Sequence, residues 1–460
     1  MKNTDSSIEL SDSRVVYAME LKKILPVKWT VYDIGKICKI QTGKLDVNQA
    51  DEGGKYPFFT CAEKIYRINT PAFDTEAVLV AGNGFFNVKY YKGKFNAYQR
   101  TYVLTDIDID GKYLYYYTNY RLPDITLSNR GSTIRYIRLG DLRDYPVVVA
   151  PPDEQKLIVA EIEKQFSRLD EAVAALKRIK ANLKRYKASV LKAAVEGKLT
   201  EEWRKEHPDV EPASELLKRI LVERRRKWEE AYPTKMYKEP GEIDKSKLNA
   251  LHKGWVWASL EMITDAIGGY AFKSKEFSDS GHQIIKMANI KMETLDLSQR
   301  PAFMSDVPDD IVVKYQLVDG DILITLTGTR KKRDYGYVVQ IKEPNTSLLL
   351  NQRIARLRPY LCELSSFLSM VLQSEVYRDR FFSYETGNVG QGNVGMKAIT
   401  IESIPFPPLE EQLTIMRDYS RNVSVANNIE RDVDNNLKRA DRLHQSILNK
   451  AFSGQLVPRV

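Results

Sequence analysis

Side chains able to carry catalysis are few in this sequence and poorly placed for it. Cys38, Cys61 and Cys362 form no CxxC pair, and His207, His252, His282 and His444 are equally scattered, so neither a zinc site nor a thiol redox centre is expected. Ala81-Gly82-Asn83-Gly84-Phe85 has the outline of a glycine-rich cofactor loop but lacks the downstream acidic residue that would hold a ribose. It reads instead as a turn closing a strand. Gly328-Thr329-Arg330-Lys331-Lys332 lacks the first glycine and the spacer of a phosphate-cradling P-loop. Methyl transfer to adenine would need an Asn/Asp-Pro-Pro-Tyr/Phe loop whose aromatic stacks on a flipped base. The prolines of Pro151-Pro152-Asp153-Glu154-Gln155 and Pro407-Pro408-Leu409-Glu410-Glu411-Gln412 have no such aromatic and precede helices. No acidic pair with a lysine of nuclease type stands out. The expectation is a chain with no catalytic residue, no metal site and no cofactor of its own.

The two proline motifs belong to a duplication. Setting Glu154-Gln155 over Glu411-Gln412 gives an offset of 257, and with no gap Ser189-Val190-Leu191-Lys192-Ala193-Ala194 then falls on Ser446-Ile447-Leu448-Asn449-Lys450-Ala451. Gly197-Lys198-Leu199 falls on Gly454-Gln455-Leu456. Neither Gly nor Pro occurs from Asp153 to Glu196 or from Leu409 to Ser453, and a glycine follows each stretch, so each copy predicts one long helix. Phe166, Leu169, Val173, Leu176, Leu183 and Val190 keep coiled-coil spacing, with Lys180 and Lys187 on the same seam. Val423, Ala426, Val433, Leu437, Ala440 and Ile447 do likewise in the second copy. A helix of this length, roughly 65 Å at 1.5 Å per residue, cannot bury its stripe alone, and the other copy is its natural partner. Ile158, Ile162 and Ile179 lie off the seam and predict additional helices on the rod.

Each helix follows a block rich in short β-type runs and turn residues. Trp29, Ile34 and Gly43 share the spacing of Trp255, Leu260 and Gly269. The strand Ala77-Val78-Leu79-Val80-Ala81-Gly82 resembles Asp321-Ile322-Leu323-Ile324-Thr325-Leu326-Thr327-Gly328, and a Gln-Arg pair precedes a strand in both blocks, at Gln99-Arg100 and Gln352-Arg353. The first block lacks the Asp319-Gly320-Asp321 turn of the second. The fold class is therefore α+β, with two similar mixed α/β globules separated by two long helices that pair as an intramolecular antiparallel coiled coil in a pseudo-two-fold arrangement. The domains are a polar tail (1–25), a first globule (26–150), a first long helix (151–200), a charged linker (201–253), a second globule (254–404) and a second long helix (405–460). The linker holds a short helix at Ala213 to Ala231. Its Arg224-Arg225-Arg226-Lys227 run reads as a solvated face, with a phosphate contact as the alternative.

With 70 Lys plus Arg against 61 Asp plus Glu, the net charge is +9, which favours a polyanionic partner through counterion release. No apolar run reaches the roughly 18 residues of a membrane span, and the opening residues MKNTDSSIELSDSR are not a signal peptide. The expected location is the cytoplasm, with no membrane partner.

These motifs resemble the specificity (S) subunits of Type I restriction-modification systems. The resemblance rests on PP-x-EQ leading into a helix that ends SVLKAAVEGKLTEEW, on its weaker copy SILNKAFSGQLVPR, and on the Trp-x4-Ile/Leu opening of each globule. The Ile404-to-Gln412 join and the Gly-Asn-Val-Gly tracts at Gly387 to Gly395 fit it as well. It implies two target recognition domains, each reading half of an asymmetric bipartite duplex DNA site, and no catalysis in this chain. It also implies two methyltransferase (M) subunits docked on the coiled coil and separate restriction/translocase (R) subunits, with S-adenosylmethionine, ATP and Mg on those partners. Basic and amide side chains on loops are then the candidate DNA contacts: Lys44, Lys89, Lys92, Lys94, Gln99, Arg100 and Arg130 in the first globule. In the second they are Lys273, Lys275, Arg330, Lys331, Lys332, Arg333, Gln352 and Arg353. The competing readings are a coiled-coil scaffold or adaptor without sequence-specific DNA binding, and a self-sufficient DNA methyltransferase or nuclease, which the missing motifs oppose.

Overall fold

The structure, a computed structural model, describes residues 25–458 apart from 128, 132–133, 245, 247 and 388–389. The polar tail thus lies almost wholly outside the described residues, as do Asn388 and Val389 of the Gly-Asn-Val-Gly tract. The chain forms two compact units, one ending at Ile179 and resuming at Asp432, the other Lys180–Arg431. The division runs through both long helices, Pro152–Val195 and Leu409–Phe452, each of 44 residues. Each helix therefore begins in one unit and ends in the other.

In the first unit the strands are β1 (Thr30–Asp33), β2 (Lys39–Thr42), β3 (Tyr56–Phe59), β4 (Tyr66–Ile68), β5 (Phe73–Ala81), β6 (Val88–Ala97), β7 (Thr101–Thr105) and β8 (Pro146–Val149). Six of them form a sheet of order β2-β7-β5-β6-β3-β4, and β1 pairs antiparallel with β8. The run from Ala77 to Ala81 is buried and crosses the middle of the sheet, as expected for an apolar strand with neighbours on both sides. A helix, Gly111–Ile125, packs Tyr113, Leu114 and Tyr117 into the same core, its N-terminus capped by Asp110.

In the second unit come β9 (Val256–Ser259), β10 (Thr264–Gly268), β11 (His282–Ile285), β12 (Ile290–Lys291), β13 (Thr294–Leu295), β14 (Phe303–Met304), β15 (Ile322–Thr325), β16 (Thr327–Thr329), β17 (Val338–Gln340), β18 (Leu348–Leu350), β19 (Ile354–Pro359), β20 (Gln391–Asn393) and β21 (Ser403–Phe406). The sheet order β10-β19-β15-β17 repeats β2-β7-β5-β6, antiparallel throughout, and β9 with β21 repeats β1 with β8. The parallel pairing of β3 with the end of β6 returns as β11 with β18. A single long β6 in the first unit corresponds here to two strands, β17 and β18. The helix at Ala213–Ala231 is built into this unit, burying Ala213, Leu216 and Ile220 in its core. Its exposed cations face acids: Arg225 meets Glu239 at 2.7 Å, and Arg226 meets Glu223 and Glu230 at 2.7 and 2.6 Å.

Each unit holds its long helices in the same way. The Trp29 indole donates to Glu154 Oε2 at 2.8 Å, and the Trp255 indole donates to Glu411 Oε2 at 2.7 Å. Gln155 donates to Ala150 O and Gln412 to Pro407 O, locking the chain as it enters the helix. The end of the other helix closes on the same tryptophan, and here glycine is required. A Cβ on Gly454 would lie 2.5 Å from Pro26 Cγ, and one on Gly197 would lie 2.7 Å from the Trp255 ring; both residues also have positive φ. In the first unit Phe452 packs its ring against Tyr113, Tyr117 and Tyr120. In the second, Ala194 and Val195 join the core with Trp255.

Within the first unit the helix segments meet at Phe166 and His444, and His444 lies 3.3 Å from Asp170. Within the second, Lys187 reaches Glu430 at 2.5 Å while Thr200, beyond the helix end, bonds to Glu411. Rising numbers on one helix meet falling numbers on the other, so the pairing is antiparallel. Lys187, a cation on the apolar seam, is accommodated because Glu430 faces it. The expectation that Ile158 and Ile162 serve further helices is corrected: both are fully buried in the first globule's core, whereas Ile179 remains 42% exposed. No described helix is long and apolar enough to cross a membrane.

Glu411 is 1% exposed and also bonds Arg204, whereas Glu154 is half-exposed with a single indole partner. Glu411→Ala is expected to cost about 3–5 kcal/mol by leaving the partly buried Arg204 without its counter-charge and the Trp255 indole without its acceptor. Glu154→Ala is expected to cost about 1.5–3 kcal/mol. Urea unfolding followed by tryptophan fluorescence measures both, and equal losses would contradict this ranking.

Candidate nucleic-acid interface

The two Gln-Arg pairs occupy the same tight turn, built by the same backbone bonds. Gly43 N donates to Thr101 O and Gln99 N to Leu45 O; correspondingly Gly269 N donates to Ile354 O and Gln352 N to Tyr270 O. On the other side, Gly82 N donates to Arg100 O at 2.8 Å and Leu326 N to Arg353 O at 2.9 Å. The glycines admit this approach: a Cβ on Gly43 would sit 1.9 Å from Ala97 O, and one on Gly269 would sit 1.9 Å from Asn351 O. With the backbone committed on both flanks, the side chains of Gln99, Arg100, Gln352 and Arg353 stand exposed. Gln99 makes one long contact, 3.3 Å to Asp46, and Arg353 holds a left-handed φ of 67°.

The remaining candidates divide by what their charges already meet. Lys44, Lys275, Lys331 and Lys332 are exposed on loops or short turns. Lys92 and Lys94 project from β6 opposite Glu76 and Asp74 of β5, both at 3.9 Å, and Lys273 meets Glu276 at 3.5 Å. At exposed positions such pairs contribute little and exchange readily for phosphate. Arg330 is held at 2.6 Å by Glu385, whose carboxyl the Tyr335 hydroxyl and then Arg330 keep below the usual range. Arg333 lies over the Phe382 ring at 4.8 Å. Two candidates work inside the first globule. Lys89 donates to Ala62 O at 2.8 Å and to Asn87, and burial lowers its pKa. Arg130 lies 3.4 Å from the largely buried Asp141.

A second matched pair of loops escaped the sequence reading. Arg130 and Tyr136 exchange backbone bonds, as do Thr386 and Asn393. Ile137 N bonds to Gly82 O and Val394 N to Leu326 O, so each loop is tied to the strand end beside its Gln-Arg turn. Gly131 and Gly387 take φ of 96° and 123° within these loops. Arg135 and Arg138, exposed here, are further cations near Arg100. The only sequence signal was an extension of the 257 offset upstream of the proline motifs, where Ile137 falls on Val394.

The Asp319-Gly320-Asp321 turn has a structural use. Asp321 is fully buried and receives both Nε and Nη2 of Arg358, at 2.7 and 2.8 Å, while Asp319 accepts from Glu343 N. Among the described residues no cluster of His, Cys, Asp and Glu could hold a metal ion.

Comparison with known proteins agrees with this architecture. A family model described as the Type I restriction modification DNA specificity domain matches residues 26–185 and 252–439. The Type I restriction enzyme EcoDI specificity subunit of Escherichia coli is 34% identical over 436 residues, covering 94% of this chain and 89% of that protein. The EcoKI specificity subunit of Escherichia coli strain K12 is 25% identical over 334 residues, 72% of this chain and 62% of that one. Two solved structures share the fold. One, from work on complex assembly and conformational transition of the type I restriction-modification system, has a TM-score of 0.62 at 18% identity over 94% of this chain and 99% of that one. The other, the HsdS subunit from Thermoanaerobacter tengcongensis, has a TM-score of 0.50 at 17% identity over 94% of this chain and 98% of that one. With two matched domains, a repeated strand frame and long helices locked by the same Trp-Glu contact, the chain belongs to the DNA specificity subunits of type I restriction-modification systems.

Proposed function

We propose that this chain reads an asymmetric bipartite site in duplex DNA, one half-site per globule, with recognition domains at residues 26–150 and 254–404. The observation that carries this reading is the Gln-Arg turn, built by the same bonds in both units and presenting two side chains suited to base edges. Gln99, Arg100, Gln352 and Arg353 read bases. Lys44, Lys92, Lys94, Lys273, Lys275 and the Arg330-to-Arg333 run contact phosphates. Lys89 and Arg130 shape the loops that carry the readers. The chain catalyses nothing and binds no cofactor. It acts in the cytoplasm, docking two methyltransferase subunits and restriction subunits that bring S-adenosylmethionine, ATP and Mg. Membership of the specificity-subunit family supports the docking, and Ile179 and other exposed apolar side chains of the long helices, such as Leu413 and Val425, offer it surface.

Mapping methylated adenines with and without the gene defines the site. Arg100→Ala and Arg353→Ala are each expected to weaken binding by about 1–3 kcal/mol and to relax one base position. The two relaxed positions should lie in different halves. Lys331→Ala should weaken binding to all sequences evenly and lower the salt slope by about 0.9. Anisotropy titrations across salt, with the complete complex, read all three; both arginine variants relaxing the same half would sink the one-globule, one-half-site reading.

The rod is also testable as a spacer. Because the helices pair, matched four-residue insertions after Ile179 and after Arg431 lengthen both by about 6 Å while turning each by only about 40°. Both half-sites should be retained and the gap between them should grow by one or two base pairs, at about 3.4 Å each. Matched two-residue insertions turn the seam by about 200° and should abolish assembly. An unchanged gap in the four-residue variant would exclude a spacer role.

A further inference from the structure

The first globule carries a feature not found among the described residues of the second. Beside Arg100, the segment after β5 is bonded to the loop that follows Arg130: Asn83 bridges Tyr136, and Gly84 N donates to Arg135 O at 2.8 Å. Phe85 and Ile134 are the next residues out on the two segments, and they are 66% and 59% exposed. Gly84, with φ of 68° and open space where a Cβ would be, turns the chain so that Phe85 stands at the tip. A single exposed apolar side chain is ordinary, but here an aromatic and a branched aliphatic adjoin on neighbouring tips. The surroundings are cationic, with Arg100 and Arg135 both exposed beside them. At the corresponding place in the second globule the segment after β15 presents Arg330 to Arg333, and among the described residues of 327–334 and 386–394 no large apolar side chain is exposed.

We infer that Phe85, backed by Ile134, is a wedge that inserts between stacked bases in the half-site read by the first globule. The inference rests on the DNA-reading proposal above. An apolar side chain that enters a base step replaces part of the lost stacking with its own contact and kinks the duplex at that step. The flanking cations hold the phosphates on either side of the kink. Among the described residues, the corresponding tip of the second globule presents cations and no such apolar pair. The deformation cost falls on the first globule's half-site, so the identity of a base step that is not hydrogen-bonded affects binding there.

The test uses the complete complex and duplexes of its mapped site with 2-aminopurine replacing one purine at a time. The half-site belonging to the first globule is the one relaxed by Arg100→Ala. Wild type should brighten 2-aminopurine several-fold at one step in that half, other than the methylated adenine, and nowhere comparable in the other half. Phe85→Ala should return that step to the duplex level and weaken binding on the order of tenfold. Phe85→Trp should keep the signal, and unchanged thermal melting would show that both variants fold. Selective binding by wild type with no such brightened step would overturn the wedge, as would a Phe85→Ala variant with unaltered signal and affinity. A wild-type complex that shows no sequence selectivity at all would instead overturn the underlying DNA reading, and the wedge with it.

Discussion

A hydrogen bond from a tryptophan indole to a glutamate in the first turn of a long helix is the contact on which both units of this protein are built. It joins Trp29 to Glu154 in one unit and Trp255 to Glu411 in the other. The carboxylate sits where the helix N-terminus favours negative charge, so the same group serves the helix and the globule. The glycine that ends the other helix then lies beside the ring, against Pro26 in the first unit and against the Trp255 ring itself in the second. Three remote stretches of chain thus converge on one side chain, and the glycine can be nothing larger. Because each helix begins against one tryptophan and ends against the other, neither helix can shift along its axis without opening a unit.

The two globules share a frame but fill it differently. The strand order and the Gln-Arg turn are common to both, while the charges are handled by opposite means. In the first globule Lys92 and Lys94 face acids across exposed strands. In the second, Arg356 and Arg358 of β19 are drawn inward onto Asp265 and Asp321, and burial lowers the Arg356 pKa. In each pair one partner is buried, Arg356 in the first and Asp321 in the second, and that group would be left charged away from water if its counter-charge were removed. The frame therefore holds the Gln-Arg turns in one position while the loops around them differ.

The candidate DNA contacts show how a fold selects among equivalent residues. Lys89 and Lys44 are indistinguishable by type, yet burial and two carbonyl partners commit Lys89 to its own globule while Lys44 stays in solvent. Arg130 is similarly committed by Asp141, whereas Arg135, five positions on, is exposed. In both cases the decision lies with partners remote in the chain: Lys89 with Thr60 and Ala62, Arg130 with Asp141.

The sequence by itself determined whatever depends on neighbours along the chain. The duplication at one offset, the two uninterrupted helices with their terminal glycines, the apolar seam and the paired Gln-Arg turns were all legible, because helix periodicity and turn chemistry are written within a few residues. Only the tertiary structure decided what depends on segments meeting from a distance. Ile158 and Ile162 have the same spacing whether they face a partner helix or the first globule's core, and packing placed them in the core. The tryptophans could be matched by position, but not their bond to a glutamate more than a hundred residues away. The pairing of the Asn83 and Tyr136 segments, which sets Phe85 beside Ile134, has no local signature at all. Local propensity names the elements; which surfaces become core, and which charges are left for a partner, follows from burial that only the assembled chain creates.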